Sequence, residues 1–386
     1  MRSFTTAPSP IVRFGEGEAM KLGGYLQEKH VKTVLLVHGR TLFQTGVITA
    51  IMQTLEKDGF TVFTYDGIEP ESPDYVVKDL ALKARETKTD AVVAIGGGST
   101  IDTARVAMSL RYAEGDLDLY ISGEMCLEEP TKDNGLLICI PTTSGTGAEM
   151  SIGGPILDTK NNIKRGLLIP PRYTDYVILD PTLTVGLSPY LTYTTAMDAL
   201  CHSLEGMTGE RRSHRTDMIC GQAVEYIWRS LPIAMEDGTN LEARGELLLA
   251  ANLAIWAETM RHIGHAVSQP IGAKLHLPHG LACALVLPAT IRAIADVPEI
   301  QRELKLIASK MGLDSNSTNV GHEIADAIAE RNRMYQIPSL KEQGFRLEEV
   351  LNCIPIIMQD KRLLPIAPFS VTEQHIEAIL KEMYQF

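Results

Sequence analysis

The sequence offers little that would staple it or embed it. None of its six cysteines, Cys126, Cys139, Cys201, Cys220, Cys283 and Cys353, forms a C-x-x-C pair, and most lie in apolar surroundings such as LLICIP and LACALVLP. They read as reduced, buried thiols of a cytoplasmic protein, not as a disulfide framework. Every apolar run is broken by Pro, Gly or a charge well short of the ~18 residues that span a bilayer, so no membrane segment is expected. MRSFTTAPSPIVRFGEG at the N-terminus lacks the apolar core of a secretory leader, so none is expected either. Positive charge is in deficit: 36 Lys and Arg face 48 Asp and Glu, a net charge of −12. An acidic surface repels phosphate backbones and speaks against nucleic acid, while a locally positive pocket can still take a small anion.

What remains is an ordinary globular composition, 45% hydrophobic and 22% charged over 386 residues. At roughly 150 residues per domain, that length suits two to three domains. The first half alternates short apolar runs with helical patterns. Strands are expected at 33–37, 61–65, 91–95, 136–140 and 176–180, with helices at 47–58 and 73–87. That rhythm predicts parallel βαβ units with helices on both faces. The second half is helix-compatible at 190–207, 215–231, 241–262, 282–295, 298–311, 318–332, 346–359 and 371–384. The turn-rich DPTLTVGLSP (180–189) marks the boundary. The expectation is an α/β domain over 1–182 and an all-α domain over 183–386, with a ligand in the crevice between them.

Two loops at strand ends carry phosphate-binding chemistry. Gly96-Gly97-Gly98-Ser99 follows a strand and opens a helical pattern, so backbone N–H groups at the helix start can face an anion, and Ser99 can cap the helix or donate to phosphate. It is neither G-x-G-x-x-G nor a P-loop, and it follows the third strand. Pro141-Thr142-Thr143-Ser144-Gly145-Thr146-Gly147 follows the LLICI strand and offers hydroxyls and glycines suited to a pyrophosphate or ribose. The alternative for each alone is an ordinary turn; both at strand ends match where open α/β sheets bind ligands.

Asp198 and His202 are spaced i, i+4, which puts both on one helix face. His265 and His279 lie farther on. One carboxylate and three imidazoles suit Zn²⁺ or Fe²⁺. The plainer alternative is an ordinary surface pair with two unrelated histidines.

Taken together, FGEGEAMKLG (14–23), AIGGGSTIDTAR (94–105), IPTTSGTGAEMS (140–151), DPTLTVGLSP through MDALCHSLEG (180–206) and GHAVSQPIGAKLHLPHGLACALVLP (264–288) resemble the iron-containing (group III) alcohol dehydrogenase family. The resemblance implies a dehydroquinate-synthase-like architecture and hydride transfer between NAD(P)(H) and a small alcohol or aldehyde, with reduction of the aldehyde favoured. It implies Asp198, His202, His265 and His279 as metal ligands. The cofactor positions it implies include Gly96, Gly97, Gly98, Ser99, Asp102, Thr142, Thr143, Thr146 and Lys164. Homodimers or larger assemblies are implied too.

Three departures from the family pattern bear on function. Gly39 stands where the family often has an Asp that repels a 2′-phosphate, and Arg40 is next to it, so NADP(H) is expected to be accepted. Gln269 replaces a common further His and cannot titrate. Proton delivery then falls to water, a ribose hydroxyl, His262 or His276, with His276 taken as the catalytic helper. Trp256, Arg261 and Arg362 suggest a substrate with an anionic tail, against the alternative of a surface cluster paired with Glu258. Two other readings compete: a dehydroquinate-synthase-type lyase using NAD and a metal, and a catalytically silent nucleotide-binding protein.

Overall fold

The computed structural model describes residues 4–5, 9–113, 116–122, 135–151, 153–161, 163–166, 174–257 and 261–385. Packing divides the chain into two compact units. One is 7–143 with 147–186; the other is 187–386 with 144–146 and 1–6.

In the first unit, six parallel strands run in the order β1-β8-β5-β4-β2-β3: β1 (Ile11–Phe14), β2 (Thr33–His38), β3 (Thr61–Tyr65), β4 (Ala91–Gly96), β5 (Leu136–Pro141) and β8 (Tyr176–Leu179). The central strands are apolar without alternation, the pattern of strands covered on both faces. Leu35, Val37, Val92, Ala94, Leu137 and Cys139 pack on one face against α2 (Asp74–Glu86) and α3 (Gly98–Leu110). Val34, Leu36, Val93, Ile95, Ile138 and Ile140 pack on the other against Ile48, Ile51 and Leu55 of α1 (Val47–Lys57). Each fully buried Val, Leu or Ile contributes about 1.5–3 kcal/mol, so a polar residue in either layer would be strongly destabilising.

The five expected strands stand where the apolar runs placed them, to within a residue at their ends. Three short strands did not register in the sequence. β1 is exposed at all four positions and is held by its in-register pairing with β8. β6 (Pro155–Asp158) and β7 (Ile163–Gly166) form a two-stranded antiparallel hairpin of four residues a side.

The second unit is helical: α4 (Pro189–Thr208), α5 (His214–Glu236), α6 (Leu241–Trp256), α7 (Ile263–Leu275), α8 (His279–Ile294), α9 (Gln301–Lys310), α10 (Val320–Met334) and α11 (Glu373–Gln385), with shorter turns between them. The starts are written in the sequence. Ser188 caps α4 ahead of Pro189, Ser213 and Thr216 form a capping box on α5, and Asn240 caps α6. α4 is buried on nearly every side beyond its first turn, packed by α5, α6 and α8. α8 is packed in turn by α7, α10 and α11.

The helix expected over 241–262 ends at Trp256, and a separate helix, α7, carries His265. Gly264, Pro270 and Gly272 interrupt its apolar period, which hid it. The expected helix 346–359 is two short pieces, Leu347–Leu351 and Ile354–Ile357. Five cysteines are free and buried, while Cys126 lies outside the described residues. Among the described residues, no single helix is long and apolar enough to cross a membrane.

Candidate metal centre and dinucleotide loops

Helix placement brings Asp198, His265 and His279 into one cluster whose donor atoms, with that of Cys283, all lie within 4.8 Å of one another, and sets His202 outside that group, beside Asp198. Asp198 and His202 lie one turn apart on α4, and His265 is the third residue of α7. α7 ends at His276 in a left-handed conformation (φ 54°), and extended Pro278 then opens α8 at His279. This tight turn returns His279 to the side of His265, with ring centroids 5.5 Å apart. Asp198 Oδ1 lies 3.5 Å from His202 Nδ1, 3.5 Å from His265 Nε2 and 3.4 Å from His279 Nε2. Two N or O donors at ~2.1 Å from one tetrahedral ion stand about 3.4 Å apart. His202 Nδ1 and Nε2 and His265 Nε2 are buried without a hydrogen-bond partner among the described residues. Buried polar atoms are rarely left so, and the donor set therefore fits a divalent cation. His279 is one-third exposed, and Asp198, His202 and His265 are buried.

Electrostatics favour the ligating protonation state at Asp198 and His202; at His265 and His279 burial works to lower the pKa, but Glu205 and Cys283 beside His265 raise it to about 9, and Cys283 and Asp198 raise His279 well above its usual range, so a cation would have to displace a proton from each. Burial works to raise the Asp198 carboxyl, but His202 and His279 hold it well below the usual carboxylate range. Burial pushes His202 well down, which favours neutral imidazole, the form that binds metal.

Sequence reasoning missed Glu205. It accepts hydrogen bonds from Gly264 N (2.6 Å), His265 N (3.3 Å) and His265 Nδ1 (2.5 Å). That fixes the His265 tautomer and aims Nε2 at Asp198, the carboxylate–histidine arrangement of metal sites. Burial opposes ionisation of Glu205, yet His265 and His262 hold its pKa down to about 2. The signal was present, because Glu205 continues the Asp198/His202 face at i+3 and i+7. Cys283, one turn beyond His279 on α8, was read as a reduced, buried thiol. Its Sγ lies 3.6 Å from Asp198 Oδ1 and 3.7 Å from His279 Nε2.

His276 is exposed, and among the described residues it forms no hydrogen bond or ion pair with the four ligands. Buried His262 places Nε2 3.0 Å from Thr208 Oγ1 and Nδ1 3.6 Å from Glu205 Oε1.

In the α/β unit, Gly96 and Pro141 are register partners on β4 and β5, and Thr142 N donates to Gly96 O (3.0 Å). The two loops therefore adjoin. A Cβ on Gly96 would lie 2.4 Å from Thr100 Oγ1, so glycine is sterically required there. Gly97, not Ser99, is the N-cap of α3. Ser99 Oγ accepts from Glu71 N (3.1 Å), and among the described residues its hydroxyl donates no hydrogen bond. Asp102 pairs with Arg105 (3.4 Å). Gly39 lies between β2 and a short helix starting at Arg40, and Arg40 Nε stands 3.9 Å from Asp66. Thr146 groups with the helical unit, and the Lys164 side chain lies outside the described residues.

Comparison with known proteins agrees with this geometry. Residues 9–181 match the model of the iron-containing alcohol dehydrogenase family, and residues 192–384 match that of its C-terminal region. Alcohol dehydrogenase 4 of Saccharomyces cerevisiae is 29% identical over 98% of this chain and 97% of its own length. Sulfoacetaldehyde reductase of Bilophila wadsworthia is 29% identical over 89% of each chain. The crystal structure of a 1,3-propanediol oxidoreductase superposes with a TM-score of 0.90 at 27% identity, covering 99% of this chain and all of that one. These likenesses support the dehydroquinate-synthase-like architecture and decide for the oxidoreductase over the lyase and the silent binding protein. The chain belongs to the iron-containing alcohol dehydrogenase family and is an NAD-dependent, metal-dependent oxidoreductase of alcohols or aldehydes.

Proposed function

We propose that Asp198, His202, His265 and His279 hold the catalytic divalent ion, iron or zinc, and that the enzyme reduces a small aldehyde in the cytoplasm as a homodimer or larger assembly. Residues 1–182 are assigned the dinucleotide and 183–386 the metal and substrate. The observation that carries this reading is one carboxylate oxygen within 3.4–3.5 Å of three imidazoles from three helices. When bound, the ion supplies Lewis acidity toward the substrate oxygen and the nicotinamide supplies the hydride.

The chain's own residues do the positioning. Glu205 orients His265. The N–H groups of Gly97, Gly98 and Ser99 at the start of α3, with the Thr142 and Thr143 hydroxyls, hold the pyrophosphate. Asp102, Thr146 and Lys164 complete the nucleotide contacts. Exposed His276 carries the proton that Gln269 cannot, and an unchanged pH–rate profile in His276→Ala would remove it from this role.

Two finer features are part of the proposal. NADP(H) is accepted: among the described residues nothing lies within 4 Å of where a Gly39 side chain would begin, and Arg40 pairs with exposed Asp66. The substrate carries an anionic tail near Arg261, whose charge acts on His202; a relative named as a sulfoacetaldehyde reductase supports this. The deciding experiment strips the protein of metal, restores Fe²⁺ or Zn²⁺, and runs neutral and anionic aldehydes with both nicotinamides. Absence of metal-dependent NAD(P)H oxidation across that panel would sink the reading.

A further inference from the structure

We propose that Cys283 donates its sulfur to the same ion, so that α8 grips it with His279 and Cys283 one turn apart, as α4 does with Asp198 and His202. The inference rests on the metal assignment above. Donor atoms of Asp198, His265, His279 and Cys283 all lie within 4.8 Å of one another. With the four residues assigned above, Cys283 would make the shell five-coordinate, and a sulfur donor at ~2.3 Å and an O or N donor at ~2.1 Å stand roughly 3.1–3.8 Å apart at the 90–120° angles of such a shell. The Cys283 Sγ separations, 3.6 Å to Asp198 Oδ1 and 3.7 Å to His279 Nε2, fall in that range.

A further observation agrees. His265 Nε2, fully buried and unpartnered among the described residues, points into the same cluster. On binding, the Cys283 proton leaves to solvent as the sulfur–metal bond forms. Sulfur ligation makes the site favour thiophilic ions such as Zn²⁺ and Co²⁺. Cys201 is a different case: its Sγ is 3.7 Å from His265 Nδ1, on the Glu205 side of that ring.

The test is X-ray absorption of the zinc-loaded enzyme. The expected result is one sulfur scatterer at about 2.3 Å beside N/O scatterers at about 2.0–2.1 Å. The sulfur should vanish in Cys283→Ser and persist in Cys201→Ser, and chelator competition should show Cys283→Ser holding zinc at least about 10-fold more weakly. Should Cys283→Ser fail to fold, the wild-type and Cys201→Ser spectra decide, since among the described residues Cys201 and Cys283 are the thiols beside the cluster. An N/O-only shell in a zinc-bound, active wild-type enzyme overturns this proposal and leaves the proposed function standing. Sulfur lost in Cys201→Ser instead overturns it as well. Failure of the wild type to bind zinc or iron overturns both.

Discussion

Replacing Glu205 with Gln should weaken metal binding while leaving the helical unit folded. The carboxylate is 1% exposed and accepts three N–H groups, two from the backbone at the start of α7 and one from His265 Nδ1. Gln keeps one carbonyl oxygen for the backbone donors, but its NH₂ would oppose Nδ1–H. A hydrogen bond to a buried charged group contributes about 1.5–3 kcal/mol. At 1.4 kcal/mol per tenfold, that is about 10- to 150-fold in metal affinity, overlapping the range for residues that orient a ligating histidine. Competition between the enzyme and a chromophoric chelator for Zn²⁺ measures it. Melting with and without metal separates affinity from fold: the gap between the two curves should narrow, and the metal-free curve should barely move. Glu205→Ala would instead orphan all three donors and lower the metal-free curve too. A Gln variant that holds zinc within twofold of wild type would refute the idea that Glu205 sets the His265 tautomer.

Three other outcomes are expected. Gly96→Ala puts a Cβ 2.4 Å from Thr100 Oγ1; it should cost about 1–3 kcal/mol in denaturant titrations, and a second change, Thr100→Ala, should recover much of it. Gly39→Asp should shift the ratio of kcat/KM values toward NAD(H) by about tenfold or more, roughly 1.4 kcal/mol, as a new carboxylate meets the 2′-phosphate; an unchanged ratio would remove Gly39 from cofactor choice. Asp158 is held down to about 2, first by Asn161 and also by Arg165, with desolvation opposing. Its folded pKa lies below its unfolded one, so its stabilisation is present above ~pH 4 and lost as pH falls toward 2. Urea midpoints should therefore drop less between pH 4 and pH 2 in Asp158→Asn than in wild type.

The legible parts of the sequence were those where one residue pattern has one physical solution. TVLLV, AVVAI and LLICI lie in the sheet because an unbroken apolar run of that length is buried on two faces. Asp198-x₃-His202 lies on one helical face because 3.6 residues make a turn. The site's remaining members depend on long-range packing. Glu205 continues the Asp198/His202 face of α4, but its bond to His265 forms only when α4 and α7 pack together. Cys283 comes beside Asp198 only when α4 and α8 pack, and a cysteine between Ala282 and Ala284 reads as apolar. α7 was hidden by its own composition, since proline and glycine inside a helix imitate its end. Ser99 looked like a cap, but the cap stands two residues earlier, at Gly97.

The turn between α7 and α8, only Leu277 and Pro278 beyond the left-handed His276, has a mechanical consequence. It hands His279 to a cluster whose first member, Asp198, lies on α4, far back in the chain. An ion shared by those side chains would fasten distant stretches of polypeptide much as a covalent crosslink does. Chelation would then slacken the bundle as well as silence it, and proteases should find their first cuts around this hinge.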